Sequence, residues 1–339
     1  MPNGVEIVAE ISGNHNGSIN RAKELISAAK EAGADRVKIQ TYTPDTITIN
    51  SRRAEFIVDA HHKLWSGKSL YELYQVAHTP WEWHEELFSF AKSIGISLFS
   101  TPFDPTAVKF LESLNVELYK IASLETGDTP LLRAVAATGK PIYASTGASN
   151  LDDLNYMYNE IRKYSQAEIT MLLCISAYPA QLKDMNLSRF SQLINNYDGL
   201  IGLSDHCIEN DAAIASVHYG VKVIEKHLTI SRKEDGPDSK FSLEPNELKM
   251  LVEAVNNAIE IRGTNYWGPQ ESENQARRFR KSLYVVEDVQ VGEILTEKNV
   301  RSIRPAGGLE PRFLDSVLGK SFKENYAKGE PLKLNMLNM

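Results

Sequence analysis

The chain has 339 residues, 42% of them hydrophobic and 24% charged, with a formal net charge of −7. That length allows one large domain and a small one. The acidic balance gives no reason to expect nucleic acid or an anionic membrane as a partner, although a local basic pocket can still take an acidic small molecule. The only two cysteines, Cys174 and Cys207, cannot build a disulfide framework and read as buried thiols in a reducing compartment. The opening MPNGVEIVAEISGNHNG lacks the basic and apolar regions of a signal peptide. No apolar run approaches the ~18 residues of a membrane span, so the expected location is cytoplasmic.

Val5 to Ile11 alternates and is rich in β-branched residues, which predicts a first strand ending in the polar loop Ser-Gly-Asn-His-Asn-Gly-Ser. Ala22 to Ala32 has a helical pattern closed by Gly33, and Arg36 to Thr41 is predicted as a second strand carrying Lys38 and Gln40 on one face. Tyr42 to His78, with Trp65, Tyr71 and Tyr74, is longer than an ordinary βα loop and is expected to cover the mouth of a site. TPWEWHEELFSFAKSIG then reads as a helix with Pro80 near its first turn and Gly95 behind it. From there strands at 96–100, 117–122, 141–145, 169–174, 200–203 and 221–225 alternate with helices at 105–114, 130–138, 151–164, 187–195 and 212–219, and a last helix runs from Pro245 to Arg262. Eight βα units in about 265 residues is the arithmetic of a (β/α)₈ barrel. A doubly wound sheet is the alternative, but the first strand lacks the glycine fingerprint of a dinucleotide site. Asn265 to Arg280 is polar, with the basic cluster Arg277, Arg278 and Arg280, and reads as a linker or arm. Lys281 to the end is glycine- and proline-punctuated and predicts a small β-rich domain of about 60 residues, expected to dock onto a barrel.

The stretch from Gly202 to Ser242 carries the densest chemistry. Ser204, Asp205 and His206 follow one short apolar run, and Glu225, Lys226 and His227 follow the next, with a small-residue helical segment between them. Parallel strands lie about 5 Å apart, so His206 and His227 can converge and share a divalent transition metal, or form a satisfied structural pair. The other predicted strand ends contribute Glu10, Asn14 and His15; Lys38 and Gln40; Ser100 and Asp104; Lys120, Ser123 and Glu125; Ser145, Thr146 and Gly147; and Ser176 and Tyr178. Taken singly, Lys38 and Lys120 can pair with Glu10 and Glu125, and Ser145 and Ser204 can cap helices. Taken together, two lysines, the serines and the amides of Ser145-Thr146-Gly147 suit a phosphate and a carboxylate. Two histidines with acids nearby suit a metal acting as Lewis acid on a carbonyl. Carbon–carbon bond formation or cleavage, or a metal-dependent isomerisation, fits that set.

At these residues the chain resembles the sialic acid synthase family, the phosphoenolpyruvate-condensing nonulosonate synthases. AEISGNHNGS, VKIQTYTPDT, TPFDPTAVKFLE, KPIYASTG, LSDH, EKH and GPDSKFSLEP look like its barrel motifs, and RKSLYVV, NVRSIRP and LGK like its C-terminal antifreeze-like domain. The resemblance implies a TIM barrel over residues 1–265, a linker over 266–280 and an antifreeze-like (SAF, β-clip) domain over 281–339. That domain would cap the partner's active site in a domain-swapped homodimer. It also implies condensation of phosphoenolpyruvate with an open-chain acetamido sugar and water, giving a nine-carbon 2-keto acid and phosphate. A divalent metal, Mn²⁺ with Mg²⁺ or Co²⁺ as substitutes, would be held by His206 and His227. Lys38, Lys120, Ser145, Ser176, Tyr178 and Ser204 would hold phosphoenolpyruvate, while Glu10 would activate water and Glu225 would join the catalytic set. Gln40, Glu125 and Asp238 would contact the sugar, and Arg304 in SIRP would reach its N-acetyl group from the other subunit. QTYTPDTITI with LWSGKSLYELYQVAHTPWEWHEELF points to the branch acting on 2,4-diacetamido-2,4,6-trideoxy-L-altrose. N-acetylmannosamine and the mannose-configured diacetamido sugar are the alternative acceptors. RPAGGLEP departs from the usual glycine pattern of its loop, and Leu173 stands where relatives commonly carry a polar residue, which is expected to alter a barrel-interior contact. Trp65, Tyr71, Trp81 and Trp83 read as lid and core packing, not as nucleic-acid stacking platforms. A sugar-binding or structural protein without catalysis is the competing class, and the set Glu10, Lys38, Lys120, His206 and His227 speaks against it.

Overall fold

The computed structural model describes residues 4–58, 67–234 and 236–338, so Trp65 lies outside the described residues. The chain divides into two compact units, Met1–Gly263 and Thr264–Met339. In the first, eight parallel strands close into a barrel in sequence order, which excludes the open doubly wound sheet. They are β1 Glu6–Glu10, β2 Arg36–Thr41, β3 Ser97–Pro102, β4 Tyr119–Ile121, β5 Ile142–Ser145, β6 Ile169–Cys174, β7 Leu200–Asp205 and β8 Val223–His227. Closure is direct: β1 pairs with β2 on one side and β8 on the other, so Glu10 stands opposite both Lys38 and His227.

The helices between strands begin and end where local chemistry dictates. α1 (Ile19–Ala32) starts at Ser18, whose hydroxyl accepts from the Arg21 N–H, and stops at Gly33, which takes the left-handed φ of 94° that a Cβ would resist. The insertion after β2 holds α2 (Pro44–Ile47) and α3 (Leu70–Ala77), then a single 3-10 turn, Trp81–Trp83, leading into α4 (His84–Ile94). Trp81 stacks on Phe110 at 4.7 Å and Trp83 meets the edge of His15, so both pack as expected. α5 (Pro105–Ser113), α6 (Thr129–Ala137), α7 (Leu151–Arg162), α8 (Phe190–Asn196), α9 (Asp211–Ser216) and α10 (Pro245–Arg262) complete the outer ring.

Strand alternation sorts side chains between two cores. Odd and even positions point to opposite faces, and Val8, Phe99, Leu118, Tyr143, Leu172 and Val223 fill the barrel interior as an apolar plug. Residues one step along, such as Ala9, Val37, Ile39, Leu203 and Ile224, face the helices. Leu173 belongs to this outer layer, so it makes no barrel-interior contact as had been expected. Two steps above the plug stand Glu10, Lys38, Lys120, Ser145, Ser204 and Glu225. Below it the Tyr143 hydroxyl donates to Glu6 at 2.8 Å and Arg36 pairs with Glu6 at 2.9 Å.

Two expectations about the last strands change. β7 and β8 run two residues further than the apolar pattern suggests, because polar Ser204 pairs in register with Glu225 and His227 with Glu10. Neither Ser145 nor Ser204 caps a helix: both are strand residues, and Asn150 caps α7 by accepting from the N–H groups of Asp152 and Asp153. Lys226, between the inward Glu225 and His227, points outward and is buried, bound to Asp205 at 3.0 Å and to the carbonyls of Cys207 and Glu209.

In the second unit, residues 264–280 include a short helix, α11 (Asn274–Arg277), within the stretch read as linker. β9 (Ser282–Val285) pairs antiparallel with β10 (Val300–Ile303) over a core of Leu283, Val285, Leu295, Phe322 and Leu332. Both cysteines are free and buried. Among the described residues no helix is long and apolar enough to cross a membrane.

Gly202 faces the barrel interior, where a Cβ would lie 2.4 Å from Leu172 and 2.6 Å from the Val223 carbonyl. Gly202→Ala is expected to destabilise the protein by about 2 kcal/mol in urea unfolding through overpacking; an unchanged midpoint would show that β7 and β8 separate freely.

Candidate active site

The site grows from one buried carboxylate. Glu225 Oε1 lies 2.8 Å from Lys38 Nζ and 3.3 Å from Lys120 Nζ, and accepts from the Ser204 hydroxyl at 3.1 Å. Lys38 also meets Glu10 Oε2 at 2.7 Å. All five residues are almost completely buried. Burial would raise the Glu225 carboxyl, but Lys120 and Lys38 hold it well below the usual carboxylate range. Burial pushes the Lys38 ammonium down to about 7, with Glu225 opposing the fall and Lys120 adding to it. Lys120 therefore pairs across the barrel with Glu225, not with its chain neighbour Glu125. Glu125 keeps Oε2 buried without a hydrogen bond, and burial, with Asp128 adding, pushes its carboxyl up to about 7.

The β5–β6 side is a cradle of small groups. Gly147 donates its N–H to Ser123 Oγ at 3.0 Å, and a Cβ there would lie 2.2 Å from Ser176 Oγ. The hydroxyls of Ser145 and Ser176 are buried with no hydrogen-bond partner, as is Glu225 Oε2. Buried polar atoms are nearly always paired in folded proteins. The two orphaned hydroxyls, together with the two lysines, suit an anionic ligand, whereas the Glu225 oxygen can only accept.

On the β7–β8 side the two imidazoles stand 5.2 Å apart between ring centroids. His206 Nδ1 is 2.8 Å from the Ile175 carbonyl, so that nitrogen carries a proton; burial lowers the imidazole, but Cys174, the Ile175 carbonyl and Glu225 outweigh it and raise it above its ordinary value. His227 Nδ1 is buried without a hydrogen bond, 3.8 Å from Asp238 Oδ2. Burial and the neighbouring positive charges of His206 and Lys38 push the His227 imidazole well below its ordinary value, leaving it neutral. Burial pushes Asp238 up to about 6, against the pull of Ser12 and His206. The Asp238 loop is tied to the loop after β1: Asn14 donates to the Leu228 carbonyl and Ser242 Oγ and accepts from Ser239. The Tyr178 ring stacks on His206 at 4.2 Å. Among the described residues no group of three or more His, Cys, Asp or Glu is gathered closely enough to hold an ion alone. What is present is an open pair of imidazoles, the His227 one neutral with an orphaned nitrogen, and such a pair would fit a catalytic metal that also takes substrate and water.

The first unit thus brings together Glu10, Lys38, Lys120, Ser204, Glu225, His206, His227 and Asp238. Gln40 joins them through Ser12, to whose hydroxyl its Nε2 donates at 2.9 Å. Arg304 follows β10 in the second unit and is exposed. Ser12 is not picked out by the sequence, and Cys174 is read there only as a buried thiol, not as a site residue. Cys174 pairs in register with Ser204 and its sulfur lies 3.9 Å from His206 Nδ1, a placement that strand alternation alone predicts. Ser12 has no such periodic signal.

A closed parallel barrel with cations, orphaned hydroxyls and imidazoles gathered at the carboxyl ends of its strands defines an enzyme acting on small anionic substrates. Comparison with known proteins takes this further. A profile of the NeuB family matches residues 25–266, and one of the SAF domain matches residues 280–338. Pseudaminic acid synthase of Helicobacter pylori is 41% identical over 328 residues, covering 96% of each chain. N,N'-diacetyllegionaminic acid synthase of Campylobacter jejuni is 34% identical over 331 residues, covering 96% of this chain and 98% of that protein. The crystal structure of an N-acetylneuraminic acid synthetase from Leptospira borgpetersenii superposes with a TM-score of 0.71 at 30% identity, covering 81% of this chain and 90% of that one. The chain belongs to the NeuB family of sialic acid synthases. It is a phosphoenolpyruvate-using transferase with a metal-dependent mechanism.

Glu125 offers a test of the site's polarity. Its carboxyl is near 7 folded and near 4.5 unfolded, so the folded state holds the proton longer and this group costs stability as pH rises through that window. Metal-free, ligand-free Glu125→Gln is expected to unfold like the parent below pH 4.5 and to be about 2 kcal/mol more stable at pH 8. A constant difference across that range would place Glu125 in water.

Proposed function

We propose that this chain condenses phosphoenolpyruvate with the open-chain form of 2,4-diacetamido-2,4,6-trideoxy-β-L-altropyranose and water, giving pseudaminic acid and phosphate. The observation that carries the reading is the convergence of Lys38, Lys120 and the orphaned hydroxyls of Ser145 and Ser176 beside the His206–His227 pair. The choice of acceptor is supported by the higher identity to the pseudaminic acid synthase than to the legionaminic one.

Lys38, Lys120, Ser145, Ser176, Ser204 and Tyr178 bind the phosphate and carboxylate of phosphoenolpyruvate. His206 through Nε2 and His227 through Nδ1 would hold a divalent ion, Mn²⁺ with Mg²⁺ or Co²⁺ as substitutes. Bound there, it would supply Lewis-acid polarisation of the acceptor aldehyde. Gln40, Glu125 and Asp238 orient the sugar. As C3 of phosphoenolpyruvate bonds to the aldehyde carbon, positive charge develops at C2, and the carboxylates of Glu10 and Glu225 stabilise it. Water adds to C2 and passes a proton to Glu10, which returns it to the new alkoxide, and the C2–O bond to phosphate breaks as the C2 hydroxyl gives its proton to the departing phosphate. That loss makes the reaction effectively irreversible.

The catalytic domain spans residues 1–265 and the antifreeze-like domain 281–339, joined by 266–280. The antifreeze-like domain caps the barrel of a second copy, to which Arg304 contributes, in a domain-swapped homodimer. Supporting this, among the described residues Trp267 is fully exposed and Tyr266 and Phe279 are largely so. Two free buried thiols support a cytoplasmic location.

Phosphate release from phosphoenolpyruvate is to be measured with the altrose-configured sugar, its mannose-configured isomer and N-acetylmannosamine. The first is expected to give the highest kcat/KM; equal or better turnover with either other sugar overturns the acceptor assignment. His206→Ala should lose turnover on the order of a thousandfold with the fold intact by circular dichroism. Full activity of the parent after chelation would remove the metal from the reaction.

A further inference from the structure

Ser12 is buried and stands two residues after Glu10, at a φ of 33°. A non-glycine residue held there is strained and persists only when its surroundings over-determine it. What the conformation achieves is visible: the Ser12 N–H and hydroxyl both lie 2.6 Å from Glu10 Oε1. The other Glu10 oxygen takes the Lys38 ammonium at 2.7 Å. On its far side the Ser12 oxygen meets the Gln40 amide at 2.9 Å.

We propose that Ser12 is a positioning residue that fixes the orientation of the Gln40 amide, so that Gln40 meets the acceptor sugar with its carbonyl oxygen. The Ser12 hydroxyl faces two carboxylates, Glu10 at 2.6 Å and Asp238, both of which accept, so its single proton points to a carboxylate and away from Gln40. The hydroxyl then has only lone pairs for Gln40, and the 2.9 Å contact requires an N–H. Turned the other way, the amide would set oxygen against oxygen with no proton between them. An isolated glutamine amide has two nearly equivalent orientations; the series Glu10–Ser12–Gln40 selects one. Nε2 is held by the protein, and the carbonyl oxygen, which has no partner among the described residues, is presented to the ligand. A carbonyl recognises a donor, so the group it reads is an acetamido N–H or a hydroxyl of the acceptor. This rests on the proposed function for the nature of the acceptor. The alternation of donor and acceptor along the series does not depend on it.

Ser12→Gly accepts the φ of 33° without strain and removes only the hydroxyl, which separates folding from positioning. The acceptor sugar is titrated calorimetrically into metal-free protein holding phosphoenolpyruvate, and KM and kcat are measured with metal present. Ser12→Gly is expected to weaken acceptor binding and raise its KM about tenfold, with the KM for phosphoenolpyruvate within about threefold and the melting temperature not lowered. In a Gln40→Ala background the same change should add nothing. An unchanged acceptor affinity in Ser12→Gly, the same loss persisting without Gln40, or no acceptor binding by the parent would each overturn the proposal. A parent that binds the sugar but releases no phosphate would instead count against the reaction, leaving the Ser12 measurement intact.

Discussion

Everything at the carboxyl end of the barrel depends on four buried charges, Lys38, Lys120, Glu10 and Glu225, joined by contacts of 2.7 to 3.3 Å. Removing such groups from water costs several kcal/mol per ion, and mutual attraction offsets that only when every charge has a partner. The barrel supplies the partners by geometry: β1, β2, β4 and β8 each contribute one inward side chain at a similar height above the apolar plug. The lysines are therefore held in place before any substrate arrives, and an incoming anion meets donors already stripped of water. Pre-organisation of this kind makes electrostatic stabilisation effective at a reacting centre. It also makes the cluster unforgiving, because deleting one member strands another in a low-dielectric interior.

The two sides of the cluster have different characters. Toward β5 and β6 the groups are small and uncharged, with Gly147 admitting close approach of a ligand to backbone N–H groups and serine hydroxyls. Toward β7 and β8 they are titratable, and burial keeps His227 neutral, with an unused nitrogen beside a second imidazole. In the proposed reaction, phosphate binding and carbonyl activation fall to neighbouring arcs of one ring of strand ends, β6 pairing directly with β7. Gln40 and Asp238 stand on the remaining arc, near which Ala77 of the insertion after β2 and Pro237 of the loop after β8 both approach Gly13.

The alternation of apolar strands and capped helices made the barrel legible in the sequence, and the polar strand ends made the site's membership legible residue by residue. What could not be read were distances across the barrel axis. Lys120 and Glu125 are five positions apart and invite pairing, whereas the true partner, Glu225, is 105 positions away and opposite only because the sheet closes. The ends of β7 and β8 were misjudged because their last residues are polar and hydrophobic pattern ends before hydrogen bonding does. Ser12 was passed over because its importance lies in a backbone angle that composition does not announce. Leu173 was assigned to the wrong face because a difference from relatives was weighed without strand parity.

The outward-facing Lys226 has a consequence for how this enzyme family can change. In three consecutive residues of β8, two side chains enter the candidate site and the one between them staples the strand to the turn after β7. Losing or gaining a single residue in this strand would move the ammonium into the cavity and turn a carboxylate and an imidazole toward the helices. The length of β8 is therefore constrained more tightly than its composition, and diversification by insertion is channelled into the segments before Val223 and after His227. New acceptors can be reached by rebuilding the loops around an unchanging strand, which separates the freedom to alter specificity from the machinery that makes the bond.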